Sequence, residues 1–269
     1  MIYKLKLKII NILNLIFGYL NLHIDSTVSK NNISNLIDLM KVKDLGHNLI
    51  RVGSDHDGGY LIPNILDQIE SCFSPGVGKI YDFEKQLGEK KINIFLADGT
   101  IDKKNIQIDK FDFINKNLSS KNSKNEITLQ NWIEDKSHEN NKNLLLQMDI
   151  EGFEYEVISS TPSEYLELFK IIIIEFHFIE KLYNRLSYNI FLSSIKKILR
   201  SFEIAHIHPN NCHGSYNVCG ERLPTAIEIT FLRKDLCFKS EKIQKLPHKL
   251  DKKNIKELPE VYLSKNWYS

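Results

Sequence analysis

The sequence predicts an α/β fold: a largely parallel sheet with helices on its faces and an antiparallel last strand. Three observations predict it. Short apolar runs alternate with helical patterns from Ser71 to Ile198, the order of right-handed β-α-β units. One run, FKIIIIEFHF, is almost wholly apolar, as expected of a strand covered on both faces. Two final runs, FEIAHIHP and TAIEITFLRK, are joined by a Gly/Asn/Pro-rich loop that suits an antiparallel return.

Composition sets the outer bounds. At 269 residues the chain can bury a core without disulfide staples. With 42% hydrophobic and 26% charged residues, a disordered or fibrous chain is excluded. Lys+Arg (36) nearly balances Asp+Glu (34), so no global charge argues for nucleic acid. Cys72, Cys212, Cys219 and Cys237 include no C-x-x-C pair, which fits a reducing, cytoplasmic compartment.

Residues 1–48 read as an N-terminal helical extension. Lys4, Lys6 and Lys8 precede an apolar run from Ile9 to Leu22. Asn11, Asn14, Gly18 and Asn21 fall in one narrow helical stripe and leave a broad apolar face. The run is too short and polar for a membrane span, and its asparagines and lack of a cleavage site argue against a signal peptide. Three readings stay open: a helix packed on its own domain, one lying on the inner face of a membrane through residues 1–24, or a signal or anchor.

The α/β domain follows at 49–235. RVGSDHDGGYLIP reads as two short extended pieces around Gly58-Gly59. ESCFSPGV is a strand, YDFEKQLGEK a helix and INIFLAD a strand. A polar stretch from 99 to 126 holds one short strand at FDFIN. TLQNWIED is a helix capped by Thr128. NLLLQMDI is a strand, FEYEVISS a helix, FKIIIIEFHF a strand and YNIFLSSIKKILRSF an amphipathic helix. The segment 236–269 is a Lys-rich, weakly patterned tail.

In open α/β sheets ligands bind outside the carboxyl ends of the strands. The first strand delivers Ser74, Gly76 and Gly78 before a helix, where backbone N–H groups lie open to a ligand. The second delivers Asp98 and Thr100. Asp98 stands 20 residues after Gly78, the place where nucleotide-binding folds grip ribose hydroxyls. The fourth delivers Asp149 and Glu151, which an extended backbone would point to one side. Helix capping explains one of these acids more comfortably than both. The fifth ends in Glu175 and His177, and a buried Glu at a strand end is costly unless paired. The sixth ends in His206, His208, Asn210, Asn211, Cys212 and His213.

SPGVGKIYDFE, FLADGT, TLQNW, LLLQMDIEGFEYEVI and IIIIEFHF together resemble the FkbM-type methyltransferases, a branch of the class I S-adenosylmethionine (SAM)-dependent enzymes. DIEGFEYEVI at 149–158 is the most specific piece, and the resemblance spans roughly residues 50–233. It implies a seven-stranded Rossmann-like sheet and makes 49–235 a SAM-dependent methyltransferase domain. Gly76 and Gly78 would approach the methionine and ribose of SAM, Asp98 would hold the ribose, and Asp149 and Glu151 would flank the methyl donor and acceptor. Ser74 stands where many class I enzymes carry an acid, and Asp82 is the candidate substitute.

A hydroxyl acceptor must lose its proton, so Asp149, Glu151 and His177 are the expected base or acceptor-positioning groups. His208, Asn210 and Asn211 are expected to wall the acceptor pocket. The expected activity is O-methylation of a sugar or glycoconjugate hydroxyl, with a SAM-fold accessory protein without methyl transfer as the alternative. A divalent metal on Asp149, Glu175 and His177 is a secondary option. The spacing of His206, His208, Cys212, His213 and Cys219 matches no standard zinc pattern. Nucleic-acid methylation lacks a basic patch, and a nicotinamide dehydrogenase lacks G-x-G-x-x-G.

Overall fold

Seven strands form the central sheet of the computed structural model, which describes residues 2–22, 24, 27–136 and 143–269, with side chains from Leu5 onward. They are β1 (Ser71–Pro75), β2 (Asn93–Ala97), β3 (Asp112–Ile114), β4 (Leu144–Met148), β5 (Phe169–His177), β6 (Phe202–Pro209) and β7 (Ala226–Arg233). Their order across the sheet is 3-2-1-4-5-7-6. β1 to β5 run parallel, and β7 pairs antiparallel with both β5 and β6. This is the expected Rossmann-like sheet of seven strands with one antiparallel strand. The strand order reverses between β1 and β4, which opens a crevice at their carboxyl ends.

The helices are α1 (Ile2–Phe17), α2 (Lys30–Leu39), α3 (Asp82–Glu89), α4 (Leu129–Lys136), α5 (Glu154–Ser160), α6 (Ser163–Leu166) and α7 (Arg185–Ile198). Their starts follow local chemistry. Ser29 and Asn32 form a capping box on α2. Thr128 Oγ1 accepts from the Asn131 N–H at 3.2 Å, the expected cap of α4. Asn184 accepts from the first turn of α7.

Strand alternation divides the core in two. β4 sends Leu144, Leu146 and Met148 to one face, where α2, α4, α5 and α7 pack. There Phe73 meets Trp132 and Phe169 edge-on, with ring centroids 5.0 and 6.0 Å apart. Leu145, Ile171 and Ile173 face the other side, under α3 and an antiparallel hairpin of Leu49–Gly53 with Gly59–Pro63. That hairpin is the RVGSDHDGGYLIP segment.

The two ends of the chain differ. Among the described side chains of α1, from Leu5 onward, none is buried, and Asn14 bonds to the backbone of Ile24. Lys4's side chain and His23 lie outside the described residues. Among the described residues no helix is long and apolar enough to cross a membrane. The segment from Leu236 has little regular structure, yet Trp267 and Tyr268 join the first core, and Trp267 accepts the Val42 N–H at 3.1 Å.

Candidate active site

The face under the hairpin turns polar where the strands end. Along β5 the side chains on that face run Ile171, Ile173, Glu175, His177. Register then sets Glu175 opposite Glu228 of β7, and Glu228 opposite His208 of β6. Burial pushes Glu228 up to about 8 and Glu175 well above the usual carboxylate range. Two cavities open over these ends, of about 580 and 480 Å³, and they share Asp57, Asp149 and Glu151 as a common wall.

The first cavity lies over β1, β2 and β4. Gly76, with φ +81°, passes so close to β4 that a Cβ would sit 1.7 Å from the Asp149 carbonyl oxygen, so only glycine fits. Asp98 is buried and organises the loop. Its Oδ1 accepts from the Thr100 N–H at 2.7 Å and hydroxyl at 2.6 Å, and its Oδ2 accepts from the Gly78 N–H at 3.1 Å. Oδ2 therefore keeps one lone pair for a ligand hydroxyl. Ser74 lies beneath the cavity, donating to Glu84 Oε1 and bonded to Gln147. Glu84, from α3, lines the cavity with its Oε2 unpartnered, and burial pushes it up to about 7. Asp82, the candidate substitute from sequence, is exposed; Glu84 supplies the acid beside Ser74.

The second cavity lies over β5 to β7. The Asp149–Gly152 turn is not extended: Glu151 has φ +56° and Gly152 φ +104°. A Cβ on Gly152 would meet the Phe178 ring at 2.3 Å. The turn still brings both acids to one side, with Asp149 3.7 Å and Glu151 3.5 Å from His177 Nε2. Glu154, fully buried, braces the turn, accepting from the Ile150 and Gly152 N–H groups at 3.2 and 3.0 Å. The same Oε1 holds His177 Nδ1 at 2.9 Å. That bond leaves Nε2 facing the second cavity. Burial alone would lower the His177 pKa, but the hydrogen bond and charge of Glu154, with Asp149 and Glu151, raise it. Burial pushes Asp149 up to about 7, against the pull of His177.

Asn210 lines the second cavity and donates to Glu175 Oε1 at 2.8 Å. His208 and Asn211 stand behind its wall. Asn211 Nδ2 bonds the carbonyls of Ile255, Leu258 and Pro259, and its Oδ1 accepts the Ile255 N–H. His208 Nε2 meets Asn254 Oδ1 at 3.2 Å, and burial takes the ring down to about 4. Both hold the C-terminal segment, which in turn lends Asn254 and Ile255 to the cavity. The sequence reading did not single out Asp57, Glu84, Glu154 or Asn254. Metal-type clusters form at Asp149–Glu151–His177 and at Asp57–Glu175–Glu228. The expected Asp149–Glu175–His177 trio is thus split between two clusters, although Glu175 stays 4.0 Å from His177 Nε2.

Residues 76–203 match the family model described as the methyltransferase FkbM domain. Over these residues the chain is similar to the FkbM methyltransferase domain. Its matched residues hold the first-cavity loop, Asp98, Asp149, Glu151, Glu154, Glu175 and His177, while Asp57, Asn210, Glu228 and Asn254 come from outside them. Nothing among curated proteins matches the chain significantly. The structure of a candidate RNA methyltransferase from Pyrococcus horikoshii is similar at a TM-score of 0.31 and 10% identity, over 62% of this chain and 77% of that one. A likeness of that size bears on neither the substrate nor the reaction of this chain.

Proposed function

We propose that this chain is a SAM-dependent O-methyltransferase acting on a hydroxyl of a sugar or glycoconjugate. One observation carries the reading: two cavities meet at Asp149 and Glu151, and a Glu154-held imidazole faces the second. The first cavity fits SAM. Its unpartnered, buried Glu84 Oε2 matches the methionine ammonium. Asp98 Oδ2 matches a ribose hydroxyl, and Val77, Ile80, Leu118 and Phe153 give apolar contact. When bound, SAM supplies an electrophilic methyl group on a sulfonium.

The protein's part is then position and proton. His177 Nε2 takes the acceptor proton, and the carboxylates of Asp149 and Glu151 stabilise the resulting imidazolium. Burial behind the two cavities keeps donor and acceptor in line. Among the described residues the second cavity is lined by Asp57, Asp149, Glu151, Glu175 and Glu180, with no Lys or Arg. Such a wall repels phosphates and carboxylates and accepts hydrogen bonds from a polyol. A divalent ion on Asp149, Glu151 and His177 is the second reading, favoured by their convergence. Cytoplasmic placement, with α1 lying on a membrane surface, would put the enzyme where lipid-linked glycans are built.

The test is calorimetric titration with S-adenosylhomocysteine, then labelled methyl transfer to a panel of neutral and anionic sugars with and without chelator. Saturable binding and transfer to neutral sugars support the reading. Binding without transfer to any acceptor points to an accessory protein, and no binding removes SAM. Loss of transfer on chelation favours the metal reading.

A further inference from the structure

A second cluster of donors lies apart from His177. His206 and His208, two apart on β6, face one side of the strand. Asp251 meets them from the C-terminal segment. Its Oδ1 lies 2.8 Å from His206 Nε2 and 3.6 Å from His208 Nδ1. All three side chains are at most 6% exposed.

Hydrogen bonding leaves one donor atom of this cluster without a partner. Asn254 Nδ2 donates to Glu228 Oε1 at 2.6 Å and to Asp57 Oδ1 at 3.0 Å, which turns its Oδ1 to His208. His208 Nε2 must then carry the proton, and Nδ1 of the neutral ring is a bare lone pair. That buried nitrogen has no hydrogen-bond partner and points at the Asp251 carboxylate. Two lone pairs buried face to face repel unless a cation stands between them.

We propose that His206, His208 and Asp251 form a zinc-type structural metal site. The three donor atoms lie within 4.8 Å of one another. Donors around tetrahedral zinc stand roughly 3.3 Å apart, so shifts of about 1 Å or less seat the ion, with a fourth position left for water. Two imidazoles and one carboxylate suit zinc better than calcium or magnesium. The ion would tie β6 to the segment that brings Asn254 and Ile255 to the second cavity, and so brace the acceptor wall.

The test uses full-length protein stripped with chelator and titrated with Co²⁺, then Zn²⁺. One equivalent of Co²⁺ should give a tetrahedral visible band that His208→Gln and Asp251→Asn lose and His177→Gln keeps. Zn²⁺ at a hundredfold excess over Kd should raise the wild-type Tm by about 5–10 °C. X-ray absorption of the zinc form should show two imidazoles, a readout independent of any variant's folding. No Co²⁺ binding overturns the proposal. So does a single imidazole, or a band lost only in His177→Gln, since the centre beside Asp149 has one histidine.

Discussion

At the scale of single residues, His177 is prepared as a base by what lies behind it. Glu154 fixes Nδ1 as the protonated nitrogen at 2.9 Å, and the surrounding acids raise the pKa of the ring. His177→Gln should therefore lower kcat by about 10²–10⁴-fold while S-adenosylhomocysteine affinity stays within twofold, read by steady-state kinetics and calorimetry. Because the imidazole must be neutral to accept a proton, kcat/KM should rise as pH climbs through its raised pKa. A flat profile from pH 6 to 9 would argue against this role. In the first cavity, Asp98→Ala removes the one free lone pair and lets the Gly78 and Thr100 N–H groups drift. It should weaken S-adenosylhomocysteine binding about 10–100-fold, the loss expected for a charge-assisted hydrogen bond. Unchanged affinity would remove Asp98 from the cofactor site.

At the scale of elements, α1 is the one long helix whose described side chains bury nothing. Leu15, Ile16 and Leu20 are exposed, and the asparagine stripe continues the line of Lys8. A helix of this kind gains free energy by laying its apolar face in a headgroup layer, with lysines on anionic lipid. The full chain should co-sediment with vesicles containing anionic lipid and release as salt rises, and Leu15→Asp with Ile16→Asp should abolish binding. Equal sedimentation of that variant would move the contact elsewhere. The strands and helices of the sheet were legible in sequence because each is a local pattern: an apolar run, a cap such as Thr128, or an acid at a strand end. Asp149, His177 and Asp98 were legible for the same reason. The rest of the site was not. Asp57 reads as part of a hairpin turn, Glu84 as one more acid on a helix, and Glu154 as a first-turn residue. Asp251 and Asn254 sit in a tail without periodicity. Each gains its role from a partner far away in sequence, as Asn254 does from His208 across 46 residues.

At the scale of the whole molecule, the site's buried acids set how stability varies with pH. Glu84, Asp149 and Glu228 hold their protons to about 7, 7 and 8 in the folded chain. The unfolded chain releases the same protons near pH 4. Between those limits the folded state binds more protons, so the free energy of unfolding falls as pH rises. The raised His177 acts in the same direction, losing its contribution as pH climbs through its folded pKa. His208, held at about 4, acts oppositely, but only below the ordinary histidine range near 6.5. Chelator-treated protein should therefore lose stability as pH rises from about 5 to about 8, a fall read from Tm across that range. Glu228→Gln separates this cause from general alkaline weakening. It keeps an oxygen to accept the Asn254 Nδ2–H bond and removes the titrating proton. Its Tm should decline less across that range than the wild type's; parallel declines would mean that Glu228 ionises in the fold as it does in the open chain.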